Sequence, residues 1–471
     1  MYKQHKQTKL LMKVNPRGLF ACFRFSFILL SFWFTVAFSA HAQSLPIVFW
    51  EKALGGNRND DLTFLQQTSD GGYLAGGFTD SGQSKDKASA GYGLTDFWVF
   101  KLDFNGNLVW ERTFGGTEQD ICNLMVQTAD GGCILGGSSK SDRNEHKSQP
   151  NIGSFDYWII RLDANGNKLW DKTYGGTDYD FLYSLQQTPD GGILLGGYSD
   201  SGVGGSKTVW NGLPDYWVVK LDANGNKLWD KSFGEADADA IYVLKQAPNG
   251  GYFLGGGSAK NTEGLSRKRR TGDEFHVAHF DENGMLLWEK TYGGHGDDYL
   301  TALQPTLDGG CIIGGVSTSG RNGDKTQPNL GKGDYWIVRL DAKGEKKWDR
   351  TYGGKNYDYL SSIEVTSDGG FLLGGISISP KGADKTHDSK GKTDFWLVKT
   401  DSRGNKLWDE TYGGAEEDAL YALQQTADGG YIIGGVSDSP TSGHKESRPL
   451  GFKDFWILKL NVLEPSWNSR Y

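Results

Sequence analysis

An aspartate recurs about every 60 residues along the chain, each time in front of a short apolar run. Seven carboxylates brought around a common axis could hold a divalent cation or a polyhydroxyl ligand. Alternatively, each carboxylate accepts backbone N–H groups of its own turn. Sevenfold repetition favours this structural role, because a specific site seldom needs seven equal copies. The candidates are Asp60, Asp120, Asp180, Asp239, Asp298, Asp358 and Asp418.

A lysine precedes a second recurring aspartate by eight or nine residues in six copies of the repeat. These lysines are Lys87, Lys147, Lys207, Lys325, Lys385 and Lys445. Each ammonium group either pairs with an acidic group or belongs to a cationic rim for an acidic ligand. An exposed ion pair would contribute only ~0–1 kcal/mol, so stability does not decide between the two. Lys147, Lys325 and the loop residue Trp210, which lies outside the repeat pattern, complete the set of candidate ligand contacts.

Tryptophan marks the repeat that positions these residues. The spacing is 60, 60, 59, 59, 60 and 60 residues between Trp50, Trp110, Trp170, Trp229, Trp288, Trp348 and Trp408. Each copy predicts four short strands, because β-branched and aromatic runs alternate with glycine-containing turns and no helical period appears. Strand A begins at the recurring aspartate and strand B follows Asp-Gly-Gly in most copies. Strand C begins Asp-aromatic-Trp in most copies, and strand D carries the recurring tryptophan.

Seven four-stranded units predict an all-β chain folded as a seven-bladed β-propeller. Residues 47–52 have the pattern of a strand D, whereas the last copy stops after its strand C at residues 454–460. We therefore expect the N-terminal strand to complete the last blade and close the ring. Short A–B and C–D turns should share one face. The D–A links and the B–C loops of about 16 residues should share the other, called here the long-loop face.

The repeated tryptophans are expected to fill the core of this propeller. The glycine pair of strand B, such as Gly196 and Gly197, should leave room for an aromatic ring of a neighbouring blade. Glycine in the C–D link suits a hairpin whose last turn residue needs a positive φ.

Residues 1–42 contain six basic and no acidic residues, an apolar run from Phe25 to Ala40, and the ending Ala-His-Ala. This pattern is typical of a secretory leader cleaved after Ala42. The apolar run has 16 residues, fewer than the roughly 20 that a membrane-spanning helix needs. We therefore predict a leader over 1–42, the propeller over 43–461 and a short tail over 462–471. The chain should not span a membrane once the leader is removed.

The charge of the chain disfavours two classes of partner. The formal net charge is -8, and it becomes about -14 when the six basic residues of the leader are removed. An acidic protein of this kind is poorly suited to bind nucleic acid or an anionic membrane. The nucleophile elbow, the zinc-protease helix and the phosphate loop are all absent from the sequence. Two well-placed carboxylates suffice for glycoside hydrolysis, so these absences leave an enzyme open.

The fourth copy departs from the repeat at several positions, namely Glu235, His276, His279 and the basic run from Arg267 to Arg270. Residues three apart on a strand face opposite sides of the sheet, so the two histidines are not expected to share a metal ion. The departures are either drift in one copy or the mark of a specialised blade. The basic run could also be a protease-accessible loop or a local docking patch.

Two segments of the third copy carry a family resemblance. They are Pro-Asp-Gly-Gly-Ile-Leu-Leu-Gly-Gly-Tyr-Ser over 189–199 and Asp-Tyr-Trp-Val-Val-Lys-Leu-Asp-Ala-Asn-Gly-Asn-Lys-Leu-Trp over 215–229. They resemble the bacterial SBBP-type and delta-60 β-propeller repeats, and the likeness covers residues 47–461. The resemblance implies an exported or cell-surface bacterial protein. These repeats define a fold rather than an activity, so the resemblance implies no catalytic residues.

We expect an exported, monomeric binding or scaffold protein, located in the periplasm or outside the cell. Its ligand should be a carbohydrate or an envelope protein, bound on the long-loop face. Seven similar loops would give avidity toward a repetitive ligand. The alternative is a polysaccharide-acting hydrolase or lyase that uses acidic residues on the same face. The sequence predicts no cofactor, although a divalent cation in a structural site or on the axis is compatible with the carboxylates.

Export predicts a mature chain that begins at Gln43, because the leader ends in the small-residue pattern that signal peptidase cleaves. The whole chain is expressed in a bacterium, and the protein recovered outside the cytoplasm is examined by intact mass and N-terminal sequencing. The Ala42→Arg variant is the control and should remain uncleaved. Recovery of the wild-type protein with its first 42 residues still attached would contradict the prediction.

Overall fold

The computed structural model describes residues 45–210, 215–233, 239–258 and 274–462. The predicted leader, Glu235, the basic run 267–270 and the tail beyond residue 462 lie outside these ranges. Within the ranges the chain forms 28 strands and no helix. No described segment therefore has the length and apolar character of a membrane-crossing helix.

The strands are short and evenly spaced along the chain. The first fourteen are β1 (Pro46–Leu54), β2 (Asp60–Gln67), β3 (Tyr73–Thr79), β4 (Asp96–Leu102), β5 (Leu108–Phe114), β6 (Asp120–Gln127), β7 (Cys133–Ser139), β8 (Asp156–Leu162), β9 (Lys168–Tyr174), β10 (Asp180–Gln187), β11 (Ile193–Ser199), β12 (Asp215–Leu221), β13 (Lys227–Phe233) and β14 (Asp239–Gln246). The others are β15 (Tyr252–Ser258), β16 (Glu274–Phe280), β17 (Leu286–Tyr292), β18 (Asp298–Pro305), β19 (Cys311–Ser317), β20 (Asp334–Leu340), β21 (Lys346–Tyr352), β22 (Asp358–Val365), β23 (Phe371–Ser377), β24 (Asp394–Thr400), β25 (Lys406–Tyr412), β26 (Asp418–Gln425), β27 (Tyr431–Ser437) and β28 (Asp454–Val462).

The strands assemble into seven antiparallel sheets of four, which are the blades of a ring. Six sheets follow chain order, and we number them blades 1 to 6. In blade 3, for example, β10-β11-β12-β13 are strands A to D. The seventh has the order β1-β28-β27-β26, and β1 pairs with β28 from Pro46 opposite Val462 to Leu54 opposite Phe455. Each strand A contacts the strand A of the next blade, so the A strands surround the axis. The predicted all-β, seven-bladed propeller is confirmed.

The tryptophan of strand C fills the space between blades. Trp158 contacts Phe97 of the preceding blade with ring centroids 4.7 Å apart, and Trp336 contacts Phe275 at 4.8 Å. Burying 150–250 Å² per ring at ~25 cal/mol/Å² is worth about 4–6 kcal/mol. The predicted packing role is confirmed for the whole set, which is fully buried: Trp98, Trp158, Trp217, Trp336, Trp396 and Trp456.

The tryptophan of strand D reaches across to the next blade. Trp110 is half-buried, and its indole N–H donates to the carbonyl oxygen of Ala164 at 3.3 Å. Its ring lies against Gly166, where an added Cβ would come within 3.0 Å of the ring. Gly166 has a φ of 77°, which confirms the predicted hairpin turn. The turn glycine thus supplies both a positive φ and space for the neighbouring indole.

The glycine pair of strand B packs closely against its own blade and both neighbouring blades. A Cβ at Gly197 would come within 2.8 Å of the Tyr157 hydroxyl of the preceding blade, so this glycine leaves room for a neighbouring aromatic side chain, as predicted. A Cβ at Gly196 would lie 3.1 Å from Cδ1 of Leu244 in the next blade. A Cβ at Gly197 would lie 2.0 Å from the carbonyl oxygen of Phe181. This carbonyl belongs to a β-bulge in strand A, where the register shifts after Leu182. One glycine therefore packs against a leucine, and the other makes room for the bulge of its own blade.

Substitution of Gly196 or Gly197 by alanine should lower the free energy of unfolding by different amounts. Gly197→Ala places a methyl group on a backbone carbonyl that cannot move without breaking the bulge, so we expect a loss of about 1–3 kcal/mol in the free energy of unfolding. Gly196→Ala meets only the flexible end of a leucine and should cost less than about 1 kcal/mol. Urea unfolding of both variants checks this, and equal losses would contradict the assigned roles.

Candidate functional site

The recurring aspartates lie inside the protein. In blade 2, Asp120 accepts hydrogen bonds from the backbone N–H of Gly116 at 2.8 Å and from the Ser141 hydroxyl at 2.7 Å. The same two bonds recur in five other blades. The fully buried carboxylates are those of Asp60, Asp120, Asp180, Asp298, Asp358 and Asp418. These six have the structural role, since each holds its own D–A link. The Asp239 side chain lies outside the described part of the structure.

The first aspartate of strand C lies near the strand-A aspartate of the next blade. Asp156 accepts a hydrogen bond from the backbone N–H of Ile152 at 2.5 Å. Burial, together with the charge of Asp180, raises the pKa of Asp156 to about 6. Oδ1 of Asp156 accepts no hydrogen bond from the described residues, so it can carry the proton. Corresponding pairs are Asp96 with Asp120, Asp334 with Asp358, Asp394 with Asp418, and Asp454 with Asp60.

The recurring lysines are internal as well. Lys147 donates to the carbonyl oxygen of Ser141 at 2.7 Å. Lys325 donates to the Ser317 hydroxyl at 2.9 Å, and its ammonium group lies 5.9 Å from the ring centroid of Trp336. All six are buried: Lys87, Lys147, Lys207, Lys325, Lys385 and Lys445. Their ammonium groups therefore do not form a solvent-exposed rim.

We call the loop lysines, together with the strand-A and strand-C aspartates, the charged belt. Lys147 interacts with Asp120 and Asp156 of its own blade, while burial lowers its pKa. The charges of Asp156 and Asp120, and more weakly those of Asp142 and Asp171, act against this effect of burial. Each belt ammonium group thus stands among more carboxylates than it can neutralise. Burial accordingly raises the pKa to about 6 for Asp60, Asp96, Asp156, Asp334 and Asp418. Within the described ranges, no three His, Cys, Asp or Glu residues are grouped as metal ligands.

In six blades a third acidic residue ties the long loop to the outer strands. Asp171 on β9 accepts the indole N–H of Trp158 at 3.2 Å, the backbone N–H of Ser148 at 2.8 Å and the ammonium group of Lys168 at 2.9 Å. The corresponding tryptophan acceptors are Glu51, Glu111, Asp230, Asp349 and Asp409. These buried contacts fix the loops, so the long-loop face is preorganised.

Blade 4 replaces two of these recurring interactions. His276 takes the place of the strand-C tryptophan, with Nε2 2.5 Å from the Glu289 carboxylate and Nδ1 3.1 Å from the Tyr216 hydroxyl. His279 and Asn249 replace a cation and an aspartate that form a salt bridge in the other six blades. Both charges of that pair are therefore lost together. Burial lowers the pKa of His279, which favours a neutral imidazole.

Trp210 is 51% exposed in the B–C loop of blade 3. The carbonyl oxygen of its neighbour Val209 accepts a hydrogen bond from Ser232 at 3.1 Å. Because Ser232 belongs to β13, the outermost strand of the blade, Trp210 lies toward the outer edge of the long-loop face rather than beside the axis.

The A strands enclose an axial channel of about 460 Å³, to which all seven blades contribute. Threonine, serine, asparagine and glutamine make up much of the wall, together with tyrosines and aliphatic side chains. Lys245 and Glu364 are the charged residues of the described wall. Our sequence reasoning did not identify them. Comparison of the copies could have found them, because four other copies have glutamine at this position: Gln66, Gln186, Gln304 and Gln424.

Five aromatic residues form a continuous series from the long-loop face into the channel. Phe155 and Phe181 have ring centroids 5.0 Å apart, Tyr179 and Phe181 are stacked at 6.0 Å, and Phe181 and Tyr183 are stacked at 6.4 Å. Tyr242 of the next blade follows Tyr183 at 6.1 Å. We call this series the aromatic ladder. Tyr179 is 45% exposed and Tyr242 42% exposed, whereas Phe155 is buried, so solvent reaches the ladder at these two tyrosines.

No protein-family model matches this chain, so the resemblance to SBBP-type and delta-60 repeats stays a prediction. The chain is 28% identical over 153 residues to the regulatory protein FlaEY of Caulobacter vibrioides. This match covers 31% of the chain and only 16% of the length of FlaEY.

Solved structures with a similar chain course include the Pan2 WD40 domain of Neurospora crassa and the hydrazine synthase of Kuenenia stuttgartiensis. The Pan2 domain is 10% identical with a TM-score of 0.46, and the match covers 87% of this chain and 91% of that one. The hydrazine synthase chain is 9% identical with a TM-score of 0.48, and the match covers 88% and 97%.

The charged belt predicts a pH-dependent effect of Lys147→Met. The variant leaves Asp120 and Asp156 without a counter-ion, so we expect a loss of about 3–5 kcal/mol in unfolding free energy at pH 7.5. A carboxyl group with a raised folded-state pKa is neutral below that pKa. The loss should therefore shrink as the pH falls through about 6, the pKa of Asp156.

Urea unfolding at pH 7.5 and pH 5 measures this difference. The control is Lys140→Met, which removes an exposed lysine 3.9 Å from Glu118 and should change stability by less than about 1 kcal/mol at either pH. An equal loss for Lys147→Met at both pH values would contradict the electrostatic role of Lys147 in the charged belt.

Proposed function

We propose that this protein is an exported binding propeller that takes a carbohydrate on its long-loop face, at the mouth of the axial channel. The aromatic ladder carries the proposal. Its rings, including those of Tyr179, Phe181 and Tyr183, follow one another from the long-loop face into the channel. A row of ring faces beside neutral polar side chains suits a chain of sugar rings, since each pyranose has apolar C–H faces and a polar hydroxyl edge.

Polar groups for the hydroxyl edge lie in the channel and in the blade that carries most of the ladder. Asn123 and Ser361 line the channel, and the Tyr198 hydroxyl donates to Asp200 at 2.6 Å. The anchored long loops supply a second requirement. A fixed face loses little conformational entropy when it binds, so weak contacts repeated along a polymer can add to a useful affinity.

The composition of the channel wall favours binding over glycoside hydrolysis. A glycoside hydrolase needs two carboxyl groups, about 5–5.5 Å apart for a retaining and about 6.5–9.5 Å apart for an inverting mechanism. Glu364 is the one carboxylate of the described channel wall, and the described strand-A aspartates are buried away from solvent. We therefore expect a bound polysaccharide to keep its chain length.

Substitution of the ladder tests the proposal. Thermal unfolding is measured with soluble polysaccharides, both neutral and uronate-containing, and a ligand at 100 times its Kd should stabilise the protein by about 2.7 kcal/mol. The Tyr183→Ala/Tyr242→Ala variant should bind about five- to 150-fold more weakly, because each of the two lost stacking contacts is worth about 0.5–1.5 kcal/mol.

Phe104→Ala is the matched control. Phe104 is exposed in the C–D turn between β4 and β5, on the opposite face, so its loss should leave binding unchanged. No saturable stabilisation by any polysaccharide would contradict the proposal and direct attention to an envelope protein as the partner. Shortened polysaccharide after incubation would overturn the non-catalytic part of the proposal.

A further inference from the structure

The seventh residue of strand A normally joins two blades inside the channel. Its side-chain oxygen accepts a hydrogen bond from the backbone N–H of the eighth residue in the next blade. The distance from Gln246 N to Gln186 Oε1 is 2.7 Å, and two other junctions have the same bond. Glu364 accepts the backbone N–H of Gln425 in the same way. Most polar groups at this level of the channel are therefore occupied by contacts between blades.

Lys245 occupies this position in blade 4 and cannot make the contact, since an ammonium group is only a donor. The eighth residue of the next blade is Pro305, which has no backbone N–H to donate. The junction between β14 and β18 therefore leaves no backbone N–H unpaired. Lys245 does not make the inter-blade hydrogen bond that a glutamine makes at this position. Within the described residues, Glu364 is the one charged group found to act on its ammonium group.

We propose that the axial channel binds a carboxylate-bearing sugar, whose carboxylate contacts the ammonium group of Lys245 and whose hydroxyl groups contact the neutral channel wall. This inference rests on the proposed function and narrows its ligand from a carbohydrate to a sugar acid. The volume of about 460 Å³ falls in the roughly 300–1,000 Å³ range of small-molecule sites. Ser361, Gln304 and Tyr421 line the same channel and can donate to or accept from hydroxyl groups.

The charges in the channel favour an anionic ligand. Burial raises the pKa of Glu364 to about 7, so near neutral pH this carboxyl group carries only part of a negative charge. The other titratable groups of the described wall are Lys245 and the phenols of Tyr183, Tyr242 and Tyr421. Burial raises the pKa of Tyr183 and Tyr421 above the usual 10. Burial lowers the pKa of Lys245, and the charge of Glu364 acts in the opposite direction. The protonated ammonium group of Lys245 is the positive charge of the described channel wall.

Protonation of Glu364 should strengthen binding of a sugar acid. Below pH 7 the neutral carboxyl group no longer repels the ligand's carboxylate, whereas above pH 7 the ionised group does. Affinity should therefore rise as the pH falls from 8 to 6, by roughly three- to tenfold, since a one-unit shift in the pKa of Glu364 corresponds to a factor of ten.

Calorimetric titration with trigalacturonate and with neutral galactotriose tests the inference. Wild-type protein should bind trigalacturonate at least tenfold more tightly than galactotriose at pH 6.5. Lys245→Gln should remove this preference without weakening galactotriose binding, and it is compatible with the fold because glutamine stands here in four other blades. Lys245→Arg should keep the preference, because it keeps the positive charge. Glu364→Gln, which can still accept the Gln425 N–H, should weaken the pH dependence and leave only the part that comes from protonation of Lys245.

Lys343→Met is the charge control, because Lys343 is exposed in a C–D turn outside the channel, and it should leave the preference unchanged. Equal binding of the two trisaccharides, with no effect of Lys245→Gln, would overturn this inference and leave the proposed function standing. Binding of neither trisaccharide nor of any polysaccharide would overturn both. Loss of the preference in Lys245→Arg as well would also contradict a role for the charge.

Discussion

A buried ammonium group shared by two carboxylates is the interaction on which the rest of this propeller depends. The charges of Asp120 and Asp156 act on Lys147 of one long loop, and the charged belt repeats this arrangement at Lys87, Lys325, Lys385 and Lys445. The aspartates hold the D–A links and the lysines hold the B–C loops. Burying these charges is costly, but backbone N–H and hydroxyl donors offset part of the cost. The result is a long-loop face whose shape is set by the interior.

The charged belt also limits which charged side chains a ligand could contact. The charged residues that repeat most regularly are used internally, so they are not available to a ligand. The ligand contacts that we propose come from side chains that vary between blades, where strand A borders the channel. Blade 4 shows this division clearly, because Lys245 gives up an inter-blade contact that Gln186 makes in the preceding blade. The strand-A members of the aromatic ladder and Lys245 occupy positions whose residue type varies between blades.

The fold could be predicted from the sequence, because the same pattern of glycine, aspartate and tryptophan recurs in seven copies. Each copy packs in the same way, so each repeats the evidence for the same four strands. The sequence predicted that strand A begins at residues such as Asp180 and that Trp158 is buried, and both are confirmed. The site was harder to predict. A β-bulge after Leu182 interrupts the alternation of strand A, so a period of two cannot tell which residues face the channel. Tyr183 and Lys245 were missed for this reason, and regular repetition drew attention to buried aspartates instead.

The most direct test of this account is an infrared pH titration of the folded protein labelled with 13C in its aspartate carboxyl groups. If two buried carboxylates share each lysine, a set of aspartates should titrate with midpoints near pH 6, as for Asp60, Asp96 and Asp156. These groups should return to the ordinary value near 3.8 when the protein is unfolded. Titration of every aspartate in the folded protein below about pH 4.5, close to the model-peptide value, would contradict the belt and the fixed long-loop face derived from it.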